Sequence, residues 1–142
     1  MTHKKTFQIG GIHLDKHKIS ALSPIIDAGV PELVYIPVRQ HIGAPAVPLV
    51  AKGDRVLMGQ KIAEGQAFIS ANIHSSVSGT VKSIEPRLTA TGMKVNAIIV
   101  ENDGLYEAVE AEPQTKKIEE LEAGEIRALV KEAGVVGMGG AG

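Results

Sequence analysis

Val50-Ala51-Lys52-Gly53-Asp54-Arg55-Val56-Leu57-Met58-Gly59-Gln60-Lys61-Ile62-Ala63 places two very short apolar runs on either side of Gly59-Gln60, with Gly53-Asp54 ahead of the first. Glycine reaches positive φ and aspartate bonds its own backbone, so both pairs read as turns. Runs of three or four residues are too short for helices and read as strands. Working outward, the same pattern holds from Ala46 to Tyr106. Strands are expected at Ala46 to Val50, Arg55 to Met58, Lys61 to Ala63, Phe68 to Ile73, Gly79 to Ile84 and Val95 to Glu101. Glu64-Gly65, Ser78-Gly79 and Thr91-Gly92 separate them. Upstream, Leu33-Val34-Tyr35-Ile36-Pro37-Val38 suits an edge strand, because its proline cannot donate to a ladder. Short strands at this spacing indicate a mainly β domain, a small barrel or sandwich over residues 31–106, rather than a βαβ sheet.

The flanks differ in character. Residues 1–30 hold Gly10-Gly11, Pro24 and Gly29, and Pro31 follows at once, which reads as an irregular arm able to wrap a neighbouring surface. Residues 107–124 are rich in glutamate, hold a proline and few apolar groups, and read as a solvated acidic linker. In residues 125–142, Ile126, Leu129, Val130 and Ala133 fall on one helical face, with Glu125 in the first turn, Lys131 in the last, and Gly134 placed for a left-handed cap. The helix leads into Val135-Val136 and the glycine loop Gly137-Met138-Gly139-Gly140-Ala141-Gly142.

Composition narrows the function. The 142 residues are 44% hydrophobic and 22% charged, enough for one packed domain. With two Phe, two Tyr and no Trp, the core falls to Val, Ile, Leu and Ala. A net charge of −1 and the lack of a basic run with interleaved aromatics set nucleic acid aside. No stretch approaches the roughly 18 apolar residues of a membrane span, and the start leads into no signal-type segment, so a soluble chain is expected. Without cysteine these residues form no disulfide and supply no thiolate to zinc or iron–sulfur clusters.

The candidate binding residues are Gly137, Gly139, Gly140, Ala141 and Gly142, whose bare backbone N–H groups suit a phosphate. Gln40-His41-Ile42-Gly43-Ala44-Pro45 is a dense polar cluster, yet His41 and His74 read as structural histidines bonding loop carbonyls. His13 and His17 have helical zinc spacing, but Gly10-Gly11 and the want of a third ligand argue against a metal. Asp54, Glu64, Glu85, Glu101 and Asp103 lie near turns, where carboxylates cap, and nothing pairs them as acid and base. Ser75, Ser76 and Ser78 lack a nucleophile-elbow context. No catalytic residue and no metal site is assigned.

Residues 50–63 resemble the strand-turn-strand half of a biotinyl or lipoyl domain, and Ile73-His74-Ser75-Ser76-Val77-Ser78-Gly79-Thr80-Val81 is similar to its later strand. The resemblance implies a barrel-sandwich hybrid fold. In that family a lysine at the hairpin tip carries a swinging arm. The matching tip here, Glu64-Gly65-Gln66-Ala67, has none, and Lys61 lies before it inside the strand. The alternative reading, a carrier or interaction module of lipoyl type, therefore lacks its modifiable lysine.

Taken in order, Gly10-Gly11-Ile12-His13, the stretch from Ile36 to Ala46, Gly59 to Ala63, Ile73 to Val81, Glu101-Asn102-Asp103-Gly104 and Ala133 to Gly142 resemble the C subunit of the Rnf-type electron transport complex over nearly the whole chain. The resemblance implies a peripheral subunit on the cytoplasmic side of the cell membrane, in an ion-translocating complex that moves electrons between NADH and ferredoxin. The parent subunit is expected to use FMN, NADH and two 4Fe-4S clusters. Its partners are other subunits of the complex, without direct membrane insertion. Gly137, Gly139, Gly140, Ala141 and Gly142 match the first part of the Gly-x-Gly-Gly-Ala-Gly-Phe-Pro-Thr loop that contacts flavin and dinucleotide in the related complex I subunit. The following Phe-Pro-Thr is missing, so these residues are expected to be the scaffold and docking portion of a longer subunit. They are expected to hold no cofactor and perform no catalysis alone. Ordering an incomplete loop costs about 1 to 2 kcal/mol per residue. Calorimetric titration with FMN or NADH should show no micromolar binding.

Overall fold

The computed structural model describes residues 17–110 and 116–137. Gly10, Gly11 and His13 of the arm, residues 111–115 of the linker, and Gly139, Gly140, Ala141 and Gly142 of the glycine loop lie outside the described residues.

The described strands are β1 (Leu33–Pro37), β2 (Val47–Pro48), β3 (Arg55–Val56), β4 (Lys61–Glu64), β5 (Ile73–His74), β6 (Gly79–Leu88) and β7 (Lys94–Asn102). They form two antiparallel sheets, ordered β1-β7-β6-β3 and β2-β4-β5. β1 pairs with β7 through Ile36 opposite Ile98, and takes the edge position its proline demands. The side chains that alternate inward along these strands meet between the sheets. Ile36, Val56, Val81, Ile98 and Val100 come from the larger sheet, and Ile62, Ala63 and Ile73 from the smaller. Val56, Ile62, Ile98 and Val100 are completely buried, and each such side chain contributes about 1.5 to 3 kcal/mol. The fold is thus the mainly β, barrel-sandwich hybrid architecture expected.

Two bulges curl the strands around that core. Val81 pairs with Val100 and Ser83 with Ile99, leaving Lys82 as an additional residue in β6. A matching shift between Lys61 and Ala63 leaves Ile62 additional in β4. An extra residue bends its strand and increases its twist, which is how short strands wrap a core of this size.

Local structure departs from the expected runs in two places. The strand expected from Phe68 to Ile73 shrinks to Ile73–His74, because residues 65–72 give their backbone groups to other partners. Ala71 N donates to His41 Nε2 at 3.1 Å, Gly65 N to Asn72 Oδ1 at 3.0 Å, and Ala44 N to Ile69 O at 3.1 Å. The first residues after Tyr106 also stay on the barrel. Met58 N donates to Glu107 O at 2.8 Å, Val109 N donates to Met58 O at 3.0 Å, and a parallel bridge joins Met58 and Ala108.

A polar network fixes that exit. The buried Ser78 hydroxyl donates to Asp103 Oδ1 at 2.6 Å and accepts from Glu107 N at 3.0 Å, while Arg55 reaches both Asp103 and Glu107. The Ser78 hydroxyl, with the Leu105 N–H and Arg55, holds the Asp103 carboxyl below its ordinary range. Within residues 107–124, expected to be linker throughout, lie a 3-10 turn at Ile118–Glu120 and the start of the helix, α1 (Ala123–Glu132). Residues 17–30 of the arm are exposed throughout and form no strand or helix.

Candidate functional site

The helix that leads to the glycine loop is built as its residues dictate. Glu122 caps the N-terminus with Glu125 in a reciprocal capping box, Glu122 N donating to Glu125 Oε2 at 2.9 Å. At the other end Gly134 takes φ +66°. Val135 N donates to Val130 O at 3.1 Å and Gly134 N to Lys131 O at 3.1 Å, the paired closure of a Schellman motif. The left-handed cap read from the sequence at Gly134 is the one present.

That cap is pressed against the barrel. A Cβ on Gly134 would lie 2.4 Å from Asn72 O and 3.2 Å from His74 Nδ1, so only glycine admits this approach. Beside it, Glu132 reaches the smaller sheet with both oxygens. Oε1 accepts from Lys61 Nζ at 2.7 Å and Oε2 from Asn72 Nδ2 at 2.8 Å. Asn72 is buried, and its Oδ1 accepts the Gly65 N–H, so one side chain ties the β4–β5 loop to the helix end. The loop is held from its other side by residues 39–45. His41 accepts the Ala71 N–H at Nε2, and its Nδ1 lies 2.6 Å from Ile42 O, which assigns the proton to Nδ1. Gln40, His41, Asn72, His74, Gly134 and Val136 line a cleft of about 250 Å³ at this joint.

The hydrogen bond to Glu132 raises the Lys61 ammonium above its ordinary value, and the same bond from Lys61 lowers the Glu132 carboxyl. Glu132 therefore supports the docked helix fully above the ordinary glutamate value of about 4.3, and loses that support as pH falls through its depressed value. Lys61 supports it fully below about 10.4 and loses it as pH rises through its raised value. The latch is expected to hold across the neutral range and open at both extremes, followed by an NMR titration of the Gly134 amide and the Asn72 side-chain amide. A flat titration from pH 3 to 6 would show that Glu132 does not hold the helix. Asn72→Ala should cost about 1 to 3 kcal/mol in urea denaturation, because it leaves the buried Gly65 N–H without an acceptor.

Of the expected binding residues, Gly137 is described and exposed, two residues beyond Val135. The other four lie outside the described residues. Sequence reasoning did not find the Lys61–Glu132–Asn72 latch. Lys61 and Glu132 are 71 positions apart, and neither stands in a local pattern that marks a partner. The histidine reading fares better, since His41 does meet a loop carbonyl. Asp54 acts as a turn carboxylate, accepting Ala51 N at 2.8 Å. Among the described residues, no three His, Cys, Asp or Glu side chains are grouped to hold a metal, and no helix is long and apolar enough to cross a membrane.

The two sheets and the lysine-free turn after β4 define a barrel-sandwich hybrid of the lipoyl-like class without a carrier lysine in that turn, since the lysine nearest in sequence, Lys61, is within β4 and engaged by Glu132. The family model described as the RnfC barrel sandwich hybrid domain matches residues 5–105, and the chain belongs to that family. It is similar to the C subunit of the proton-translocating ferredoxin:NAD(+) oxidoreductase complex of Clostridium ljungdahlii, 48% identical over 138 residues, 96% of this chain and 30% of the relative. The C subunit of the Na(+)-translocating ferredoxin:NAD(+) oxidoreductase complex of Acetobacterium woodii is 41% identical over 133 residues, 93% of this chain and 30% of the relative. The C subunit of the ion-translocating oxidoreductase complex of Vibrio cholerae is 38% identical over 137 residues, 94% of this chain and 18% of the relative. The chain thus spans less than a third of the length of these relatives.

Proposed function

We propose that these residues are the N-terminal scaffold and docking portion of a peripheral electron-transfer subunit, in a membrane complex that moves electrons between NADH and ferredoxin and couples the transfer to ion translocation. The observation that carries this reading is the Gly134 cap seated on the Asn72 carbonyl. It starts the glycine loop at one fixed place on a rigid barrel, as a scaffold for a cofactor loop must. Family membership and the names of the relatives support the parent activity.

In this reading Gly137, Gly139, Gly140, Ala141 and Gly142 open the flavin and dinucleotide loop of the parent. Gly137 fits that role, having no Cβ and lying exposed just past the cap. A bound flavin would supply the exchange between hydride and single-electron chemistry. These residues contribute only backbone N–H groups and position. With no cysteine here, ligands for two 4Fe-4S clusters come from elsewhere in the parent. The barrel and arm present surfaces to the other subunits on the cytoplasmic side, without entering the bilayer.

The test is deletion of residues 31–106 from the full-length subunit in membranes carrying the complex. NADH-to-ferredoxin transfer should be lost, and the subunit should wash off the membrane. Retention on the membrane with transfer at the undeleted rate would refute the docking role.

A further inference from the structure

α1 and the two barrel loops beside it form an apolar groove of about 700 Å³ between them. Ile42, Phe68 and Ile69 of the barrel line it together with Ile126, Val130 and Val135 of the helix and its exit. Phe68 is fully exposed, and Ile42, Ile69 and Val135 are more than half exposed. Apolar groups scattered singly over a surface need no explanation, but a contiguous patch of this kind marks a contact.

The helix points the same way independently. α1 has ten residues, an apolar stripe, and no buried residue. Helices below about 12 to 15 residues are marginal in water unless an apolar face is packed. The latch to Lys61 and Asn72 holds the last turn, and among the described residues the stripe at Ile126 and Val130 stays more than 40% exposed.

Chain continuity favours one occupant. Val135, Val136 and Gly137 themselves line the groove. Each further residue carries the chain at most about 3.5 Å, so the polypeptide beyond them begins within reach. The clostridial relative is more than three times the length matched here, and a covalently attached segment acts at high effective concentration. A second copy is disfavoured by charge, because Arg127 and Lys131 flank the groove and a symmetric pairing would set like charges together.

We propose that this groove seats the polypeptide following the glycine loop in the full-length subunit, with an apolar face of its next domain packed on Ile42, Phe68 and Ile69 of the barrel and on Ile126 and Val130 of α1. The turn that would display a lysine in a carrier domain leads here into an apolar peg, Phe68-Ile69, which joins barrel and next domain into one body. The inference rests on reading these residues as the leading part of a longer subunit, and is independent of that subunit's redox chemistry.

Hydroxyl-radical footprinting read by mass spectrometry tests it on three samples: this chain, the full-length subunit alone, and the assembled complex. Oxidation of Phe68 and Val130 should fall about tenfold from the first sample to the second. In the full-length subunit, Phe68→Asp should restore Val130 oxidation to the level of the short chain, and the exposed side chain should tolerate that change. Protection appearing only in the complex would assign the groove to another subunit and overturn the proposal. So would protection already present in the short chain, whether from its own N-terminal residues or, if it grows with concentration, from a second copy. Equal oxidation in all three samples, or a Phe68→Asp subunit that stays protected at Val130, would overturn it as well. Loss of NADH oxidation with protection intact would count against the proposed function and leave this interface standing.

Discussion

Gly79→Ala is expected to destabilise the barrel by about 3 kcal/mol or more, the upper range for overpacking a filled site. Gly79 stands in the middle of the larger sheet, paired with Val56 of β3 on one side and Asn102 of β7 on the other. A Cβ there would lie 1.9 Å from Glu101 O and 2.9 Å from Glu101 C. Both are backbone atoms, so no side chain can swing aside. The strands must separate, and with them the Val81 and Val100 pair that closes the core. Urea denaturation of Gly79→Ala beside Gly53→Ala separates this from the general cost of replacing glycine. Gly53 has φ +96° and nothing within 4 Å of a Cβ, so it carries backbone strain alone, about 1 to 2 kcal/mol. Equal losses for the two variants would mean that β6 and β7 can part freely at this point.

Gly134→Val is expected to detach α1 while leaving the barrel intact. Valine pays about 1 to 2 kcal/mol to occupy the left-handed region, and its Cβ would meet the Asn72 carbonyl at 2.4 Å. The helix buries no residue of its own, so it has little to set against that cost. Amide exchange over residues 126–135 should become unprotected, while β6 and β7 keep their protection and the denaturation midpoint of the barrel holds. Gly124→Ala is the opposing control, since a Cβ there meets nothing within 4 Å and alanine favours a helix by about 1 kcal/mol. On the proposed role of the glycine loop in holding flavin, Gly134→Val in the full-length subunit should lower flavin content and Gly124→Ala should not. Persistent protection of α1 in Gly134→Val would show that the cap does not dock the helix.

Both effects turn on glycines whose class was legible from the sequence and whose partners were not. Gly134 follows an apolar stripe with Lys131 just before it, and that local pattern announces a left-handed cap. Nothing local says that the cap will press on Asn72, 62 positions earlier in the chain. The same division runs through the fold. Gly53-Asp54 and Gly59-Gln60 mark turns because turn chemistry is local, and the apolar residues between them could only be short strands. Phe68 to Ile73 also has the composition of a strand, yet most of it is a loop, since His41 accepts the Ala71 N–H and Ala44 N donates to the Ile69 carbonyl, partners that outcompete a ladder.

Turn positions, strand character, the edge placement of a proline-bearing strand, the capped helix, and the want of a lysine at the β4–β5 turn all follow from neighbours in the chain. They depend on backbone sterics and hydrogen bonds spanning four or five residues. The joint between helix and barrel, the Ser78–Asp103–Arg55 clasp and the groove around Phe68 follow from packing instead. The hydrogen bonds of the joint and the clasp join groups 25 to 71 positions apart, the groove sets Ile42 beside Val135, and such contacts exist only after the sheets have curled around Ile62, Ile98 and Val100, because that closed core alone sets where the loops and the helix end can meet.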